Sequence, residues 1–91
     1  MKSLNFSPDI LKQLNETQKK DNKFYQRILK QLNLLQQNPK LKSLRLHKIT
    51  REVKNTWSLS ITKSFRMLYI ETDKEYYFYK LGTHDEVYRK R

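Results

Sequence analysis

WSLSITKSFRMLYIETDKEYYFYKL, residues 57–81, contains three successive patterns typical of β-strands. In the first, bulky apolar residues alternate with serine and threonine, as they do in a strand with one buried face. The other two, residues 65–70 and 76–81, are dominated by aromatic and β-branched side chains, which are enriched in strands. Polar residues separate the patterns, so we predict an antiparallel meander with short turns. A further strand is expected near residues 44–49.

The segment before the meander predicts one short strand and two helices. Residues 2–6 alternate polar and apolar side chains, as in a half-buried strand. Ser7 and Pro8 then have the residue types of an N-cap and a first helical position. Apolar side chains recur at helical spacing after this cap, and again from Asn22 up to Asn38, where a following proline ends the second helix. We therefore expect a helical hairpin.

A sheet with one apolar face needs a cover, and the helical hairpin is the element available to supply it. The predicted fold is α+β, with residues 1–91 forming a single domain in the order β-α-α-β-β-β-β. In this fold an antiparallel sheet is covered on one face by the N-terminal helical hairpin. Within the aromatic run at positions 76–79, alternate rings must face opposite sides of the sheet. We expect Tyr77 and Tyr79, or their alternates, to pack under the helices.

The composition limits the kinds of partner and site that the chain can have. Twenty Lys and Arg residues against nine Asp and Glu give a net charge of +11 and a pI near 10.0, which favours a polyanionic partner. The absence of cysteine excludes disulfides, thiolate zinc sites and a cysteine nucleophile, and favours an intracellular protein. The scattered histidines and carboxylates predict no metal site, and we expect no cofactor. Without a long apolar run or a signal-type segment, we expect a soluble, cytoplasmic protein with no membrane contact.

The basic residues are dense between the helices and the meander. Residues 39–56 hold six basic side chains and one acidic side chain, Glu52. Contact with nucleic acid or with an acidic protein is one interpretation of this segment. A solvated loop and edge strand is the other, because lysine protects an exposed strand edge from pairing.

The chain ends in LGTHDEVYRKR, residues 81–91, where a histidine, two carboxylates and a tyrosine precede three cationic residues. This grouping suits a phosphodiester, because His84 can move a proton near neutral pH and Tyr88 can stack on a base, while arginines neutralise phosphate. We expect the two carboxylates to cap a terminal turn or to orient His84. Gly82, the one glycine, follows a strand, where glycine usually permits a backbone conformation or a close approach that a Cβ would forbid.

The element order, Arg66 at the start of the penultimate strand, and the ending from Leu81 to Tyr88 together resemble the RelE/ParE superfamily of bacterial type II toxins. The ending is most similar to the Gly-x-His-x-x-x-Tyr/Phe termini of the YafQ-like and YoeB-like ribosome-dependent mRNA endonucleases. The resemblance implies a toxin that enters the ribosomal A site and cleaves mRNA there without metal, using the 2′-OH as nucleophile. It also implies a cognate acidic antitoxin as partner. Whether the free toxin is monomeric stays open.

Two other functions stay open beside the endonuclease. The ParE branch of the same superfamily inhibits DNA gyrase and does not cut RNA, so fold alone does not decide the activity. A non-catalytic RNA-binding protein with this fold is the second alternative, favoured by a missing carboxylate base. The YafQ-like group places a His and an Asp around the strand that begins near Trp57 and the hairpin after it, where this chain has Ser58, Ser60, Thr62, Lys63 and Ser64. The YoeB-like group adds a Glu before that strand, for which only Glu52 is near. The second proton carrier is therefore open.

The resemblance assigns roles to individual residues. His84 would be the acid or base, Arg66 would hold the scissile phosphate, and Tyr88 would stack on or orient a base. Alternatively, the Arg66 stem covers apolar surface and Tyr88 packs on the sheet. His47 matches a histidine of the YafQ-like pattern. The residues expected to bind RNA are Arg45, His47, Lys48, Arg51, Lys54, Lys63, Arg89 and Arg91.

Overall fold

The computed structural model describes residues 1–50 and 54–88. Its elements in chain order are β1 (Ser3–Phe6), α1 (Pro8–Lys20), α2 (Asn22–Gln37), a 3₁₀ turn (Lys42–Leu44), β2 (His47–Ile49), β3 (Thr56–Ser60), β4 (Phe65–Glu71), β5 (Glu75–Thr83) and α3 (His84–Tyr88). This order confirms the α+β prediction. The observed order differs from the predicted one in two places. The strand expected at residues 44–49 is shorter, and the C-terminal segment is a helix.

Both long helices begin at side-chain caps, of which the sequence predicts the first. Ser7 Oγ accepts a hydrogen bond from the Ile10 amide at 3.2 Å, and Pro8 occupies the first helical position. Asp21 separates the helices and caps α2, because its Oδ1 accepts from the Phe24 amide at 3.1 Å. Such caps satisfy amide groups that have no partner within the helix. The sharp break between α1 and α2 makes them the predicted hairpin.

The five strands form one sheet in the order β1-β5-β4-β3-β2. Strands β2 to β5 form the predicted antiparallel meander. Strand β1 instead lies parallel to β5, so the sheet is mixed and the prediction of a purely antiparallel sheet is wrong on this point. A parallel pair cannot be joined by a hairpin, and α1 and α2 lie between these strands in the chain.

The main core lies between the sheet and the helical hairpin. Ile28 and Leu35 of α2 pack there with strand residues that include Leu59 and Phe78, all of them buried. Tyr76 and Phe78 are the rings that face the helices, so the alternates of the two tyrosines named from the sequence form the core. Burial raises the pKa of Tyr76, as expected for a phenol in an apolar setting.

A β-bulge in β5 changes which side chains face the helices. Tyr69 of β4 pairs with Phe78, whereas the preceding Leu68 pairs with Lys80, so two residues of β5 occupy the length of one on β4. Beyond the bulge Leu81 packs with the main core, and Gly82 pairs in register with Arg66. The bulge therefore determines which side chains at the C-terminal end of β5 face the helices.

Helix α3 covers the other face of the sheet. Its Val87 is buried and packs with Ile49 and Leu68 in a second, smaller cluster, against which Tyr79 and Tyr88 also pack. The prediction that the N-terminal hairpin covers one face of the sheet is confirmed. Helix α3 partly covers the opposite face as well. Among the described residues, no helix is long and apolar enough to cross a membrane.

Adjacent residues of α2 provide a matched test of the core. Ile28 is 0% exposed, whereas Leu29 is 38% exposed. We expect Ile28→Ala to lower the free energy of unfolding by about 2–5 kcal/mol, because it leaves a cavity under the helix. Leu29→Ala should lower it by less than about 1 kcal/mol. Chemical denaturation measures both, and equal losses would contradict this assignment of the buried face.

Candidate active site

A cleft of about 540 Å³ opens beside α3. The residues that line it come from the turn before β2, from β2, from β4 and from α3, and they are Arg45, Leu46, His47, Arg66, His84 and Tyr88. The fold therefore brings together all three residues predicted to be catalytic. Two of the residues predicted to bind RNA, Arg45 and His47, lie in the same cleft.

Arg66 is held by acceptors that carry no net charge. Its Nε donates to Ser58 Oγ, and its Nη2 donates to the Arg45 carbonyl at 2.6 Å and reaches the Ser58 carbonyl at 3.4 Å. These hydroxyl and carbonyl partners orient the guanidinium, and no carboxylate of the described residues pairs with it. Among the described residues these acceptors occupy Nε and Nη2, so Nη1 is the nitrogen that remains to donate to an anion in the cleft.

The Arg45 backbone adopts the left-handed conformation, with φ 47° and ψ 49°. This region is uncommon for residues other than glycine and costs roughly 1–2 kcal/mol. The preceding Leu44 is fully buried, which fixes the 3₁₀ turn on the core. The hydrogen bond from Arg66 fixes the Arg45 carbonyl on the other side. Strain held in this way is frequent at functional sites.

A capping box fixes the start of α3. Thr83 Oγ1 accepts from the Glu86 amide at 3.3 Å, and Glu86 Oε1 accepts from the Thr83 amide at 2.7 Å. Of the two roles expected for the carboxylates, Glu86 therefore has the capping one. Asp85 Oδ1 lies 3.7 Å from His84 Nδ1 with its side chain 94% exposed, so this contact is a weak surface pair.

Gly82 permits the close approach of Glu86. A Cβ at Gly82 would lie 2.7 Å from Glu86 Oε1 and 3.1 Å from Glu86 Cβ, both closer than ordinary packing. The φ angle of Gly82 is not positive, so the glycine serves the contact and not an unusual backbone conformation. Of the two roles that the sequence allows for Gly82, the structure therefore supports the close approach.

Each of the two histidines of the cleft contacts Tyr88. His84 and Tyr88 are four residues apart and therefore lie on one side of α3. Their ring centroids are 4.5 Å apart, and the ring planes are inclined at 64°. His47 of β2 approaches the same tyrosine edge-on, with centroids 6.3 Å apart. The His84 side chain is 69% exposed, so a substrate can reach it.

The other residues predicted to bind RNA do not line this cleft. Lys48 Nζ lies 6.0 Å from the centre of the Trp57 ring, a cation–π distance. Lys54 is exposed before β3, and Lys63 lines a neighbouring groove. Arg51, Arg89 and Arg91, together with Glu52, lie outside the described residues.

Among the described residues, the groups that the cleft offers for proton transfer are imidazoles and a phenol. Within residues 1–50 and 54–88, no cluster of His, Asp and Glu side chains is arranged to bind a metal ion. The described lining residues of the cleft include no carboxylate. Two imidazoles, one phenol and two guanidinium groups are the polar side chains that face an anion bound there.

Sequence reasoning missed Ser58, which anchors Arg66. The alternation along β3 places Ser58 on the face opposite the helices, but only the register with β4 shows which side chain it meets. The Arg45 carbonyl was missed for the same reason, because its contact with Arg66 joins residues distant in the chain. Short sequence patterns do not reveal contacts between residues that are distant in the chain.

The fold matches those of solved bacterial toxins. A chain of the E. coli DinJ-YafQ toxin-antitoxin complex aligns with a TM-score of 0.77 at 20% identity, covering 96% of this chain and 97% of that chain. The YoeB dimer from Staphylococcus aureus gives 0.77 at 20% identity, covering 91% and 97%. A YoeB/ParE toxin from Agrobacterium tumefaciens gives 0.75 at 14% identity, covering 90% and 98%. No protein-family model and no curated protein sequence matches the chain. The chain therefore has the RelE/ParE-like toxin fold.

The contact between Gly82 and Glu86 can be tested by a double-mutant cycle. Gly82→Ala should displace the Glu86 carboxylate, and Glu86→Ala should remove it, so each should cost roughly 1 kcal/mol of cap stabilisation. Because both changes act on one cap, the double variant should lose clearly less than the sum of the two. Asp85→Ala is the matched control and should change stability by less than about 0.5 kcal/mol. Additive losses would show that the glycine has a different role.

Proposed function

We propose that this chain is the toxin of a type II toxin-antitoxin system and that it cleaves translated mRNA on the ribosome without a metal ion. The observation that carries the proposal is the cleft in which Arg66, His84, Tyr88 and His47 meet. The fold alone does not decide this activity, because unrelated functions share folds. The grouping of proton carriers around an oriented guanidinium is what favours RNA cleavage.

Cleavage by 2′-OH attack needs three groups from the protein. A base accepts the 2′-OH proton as the O2′–P bond forms, and an acid gives a proton to the 5′ oxygen as the P–O5′ bond breaks. The products are a 2′,3′-cyclic phosphate and a 5′-OH end. A cation must stabilise the charge that grows on the non-bridging oxygens. Arg66 suits this last task, since its known partners are neutral and leave its charge available.

His84 and His47 are the proposed proton carriers. Both imidazoles line the cleft and both contact Tyr88, while no carboxylate is among the described lining residues. His47, expected from the sequence to bind RNA, is therefore proposed as the second proton carrier that the sequence left open. Tyr88 would position the two imidazoles and offer its ring to a base of the bound codon.

The proposed partners are an acidic antitoxin, the ribosome and mRNA. The net charge of +11 favours polyanions, and the E. coli YafQ named above was solved as a toxin-antitoxin complex. Action on translated mRNA would take place in the cytoplasm. Gyrase inhibition is the alternative for this fold, and an inducible expression experiment separates the two. If DNA replication stops before protein synthesis does, gyrase inhibition should replace the present proposal.

Substitutions in the cleft should lower cleavage of ribosome-bound mRNA and leave the fold intact. His84→Gln and His47→Gln should each lower the rate by about 10²–10⁴-fold, as expected for loss of a general acid or base. Arg66→Lys should lower it by about 10²–10³-fold, because an ammonium cannot keep the hydrogen bonds to Ser58 and to the Arg45 carbonyl while it donates to the phosphate. If one histidine is the acid and the other is the base, the wild-type pH–rate profile should be bell-shaped and each variant should lose a different limb.

The control is Asp85→Asn, which removes a charge beside His84 without removing a cleft residue, and it should cleave within a few-fold of wild type. Arg66→Ala is a poorer test, since it leaves the buried Ser58 hydroxyl without its donor and lowers stability as well. Denaturation curves should be superimposable for the two histidine variants and wild type. Wild-type cleavage by His84→Gln would show that the acid–base assignment is wrong.

A further inference from the structure

A second groove of about 560 Å³ adjoins the cleft. Arg45 and Arg66 line both, so the two spaces share a wall. Beyond these shared residues the groove runs between α2 and the turn that joins β3 to β4. Three further cationic residues line it there, namely Arg27, Lys30 and Lys63.

The cations of this groove are not neutralised by neighbouring acids. The described lining residues include no Asp or Glu, and none of the three additional cations forms an ion pair within the described part of the chain. Arg27 Nε donates to the Ile61 carbonyl at 3.0 Å, which orients its guanidinium without cancelling its charge. Asp21 borders a separate pocket beside Arg27, and its Oδ1 caps α2. Five cations that have no acidic partner among residues 1–50 and 54–88 line this concave wall and concentrate positive potential.

The wall of the groove is fixed by hydrogen bonds. Gln31 is buried, and its Nε2 donates to the Ser60 carbonyl at 2.7 Å. Ser60 Oγ donates to the Thr62 carbonyl at 3.1 Å, and Thr62 Oγ1 accepts from the Phe65 amide at 3.1 Å. These bonds tie the β3–β4 turn to α2, so the cationic side chains project from a preformed support.

We propose that this groove binds the sugar-phosphate backbone of the RNA strand as it continues beyond the scissile phosphate. The inference rests on the proposed function of the adjoining cleft. A strand whose phosphate meets Arg66 in the cleft can continue along the shared wall, where Lys30 and Lys63 neutralise further phosphates. Backbone contacts of this kind add affinity and hold the register of the strand, but they do not select a sequence.

The lining favours RNA backbone over an acidic protein segment. A docked amphipathic helix needs apolar anchor sites. The apolar residues of this groove are Leu34 and Ile61, and Ile61 is 0% exposed. The remaining lining is cationic, hydroxyl or amide, and such groups suit phosphate and ribose oxygens.

The test measures binding of a single-stranded RNA whose cleavage position carries a 2′-deoxy nucleotide, so that it cannot be cut. Wild type is compared with the double variant Lys30→Gln/Lys63→Gln over a range of salt concentrations. Loss of two phosphate contacts should reduce the slope of log affinity against log salt by ~1.4. The advantage of wild type over the variant should then fall roughly sevenfold between 50 and 200 mM salt.

The matched control is Lys12→Gln/Lys19→Gln, which removes the same charge from exposed positions on α1 and should reduce the slope by clearly less. An equal reduction in both double variants, or an unchanged slope in the groove variant, overturns the groove assignment. So does selective loss of binding to polyglutamate with RNA binding intact, which would indicate an acidic protein segment. Cleavage by wild type is assayed in parallel on ribosomes, so failure of the proposed activity is seen separately from failure of the groove.

Discussion

The hydrogen bonds of Arg66 are the interaction on which the candidate site depends. From β4 this side chain reaches Ser58 on β3 and the Arg45 carbonyl in the turn before β2, so it ties three segments together. Because these partners are neutral, they orient the guanidinium without cancelling its charge. The same anchored group borders both the cleft and the basic groove, and it therefore links the proposed reaction to the proposed path of the RNA.

The other half of the site depends on how β5 ends. The bulge opposite Leu68 resets the alternation, so that Leu81 packs with the main core and Gly82 meets the Glu86 side chain. The capping box then starts α3, and burial of Val87 holds it on the sheet. His84 and Tyr88 are brought to the cleft by this helix, and their mutual geometry follows from its pitch.

Local signals explain which parts could be predicted. Ser7, Pro8 and the Asn38-Pro39 pair mark helix ends through their own backbone chemistry, and the apolar alternation marks the strands. The parallel pairing of β1 with β5, the bulge and the packing of α3 depend on contacts between distant residues, so no short pattern reports them. In the site, His84 and Tyr88 were predicted from their residue types as well as from the superfamily resemblance, and Arg66 was predicted from the resemblance. The partner Ser58 and the groove residues Arg27 and Lys30 became visible only through strand register and helix packing.

The proposed activity of the cleft is catalysis of 2′-OH attack within translated mRNA. The most direct measurement maps the ends produced by wild-type protein on purified ribosomes, with mRNA that carries either a ribose or a 2′-deoxyribose on the 5′ side of the scissile phosphate. We expect a 2′,3′-cyclic phosphate and a 5′-OH from the ribose substrate in the presence of a metal chelator, and no cleavage of the deoxy substrate. Equal cleavage of both substrates, or no cleavage of either, would contradict this proposal.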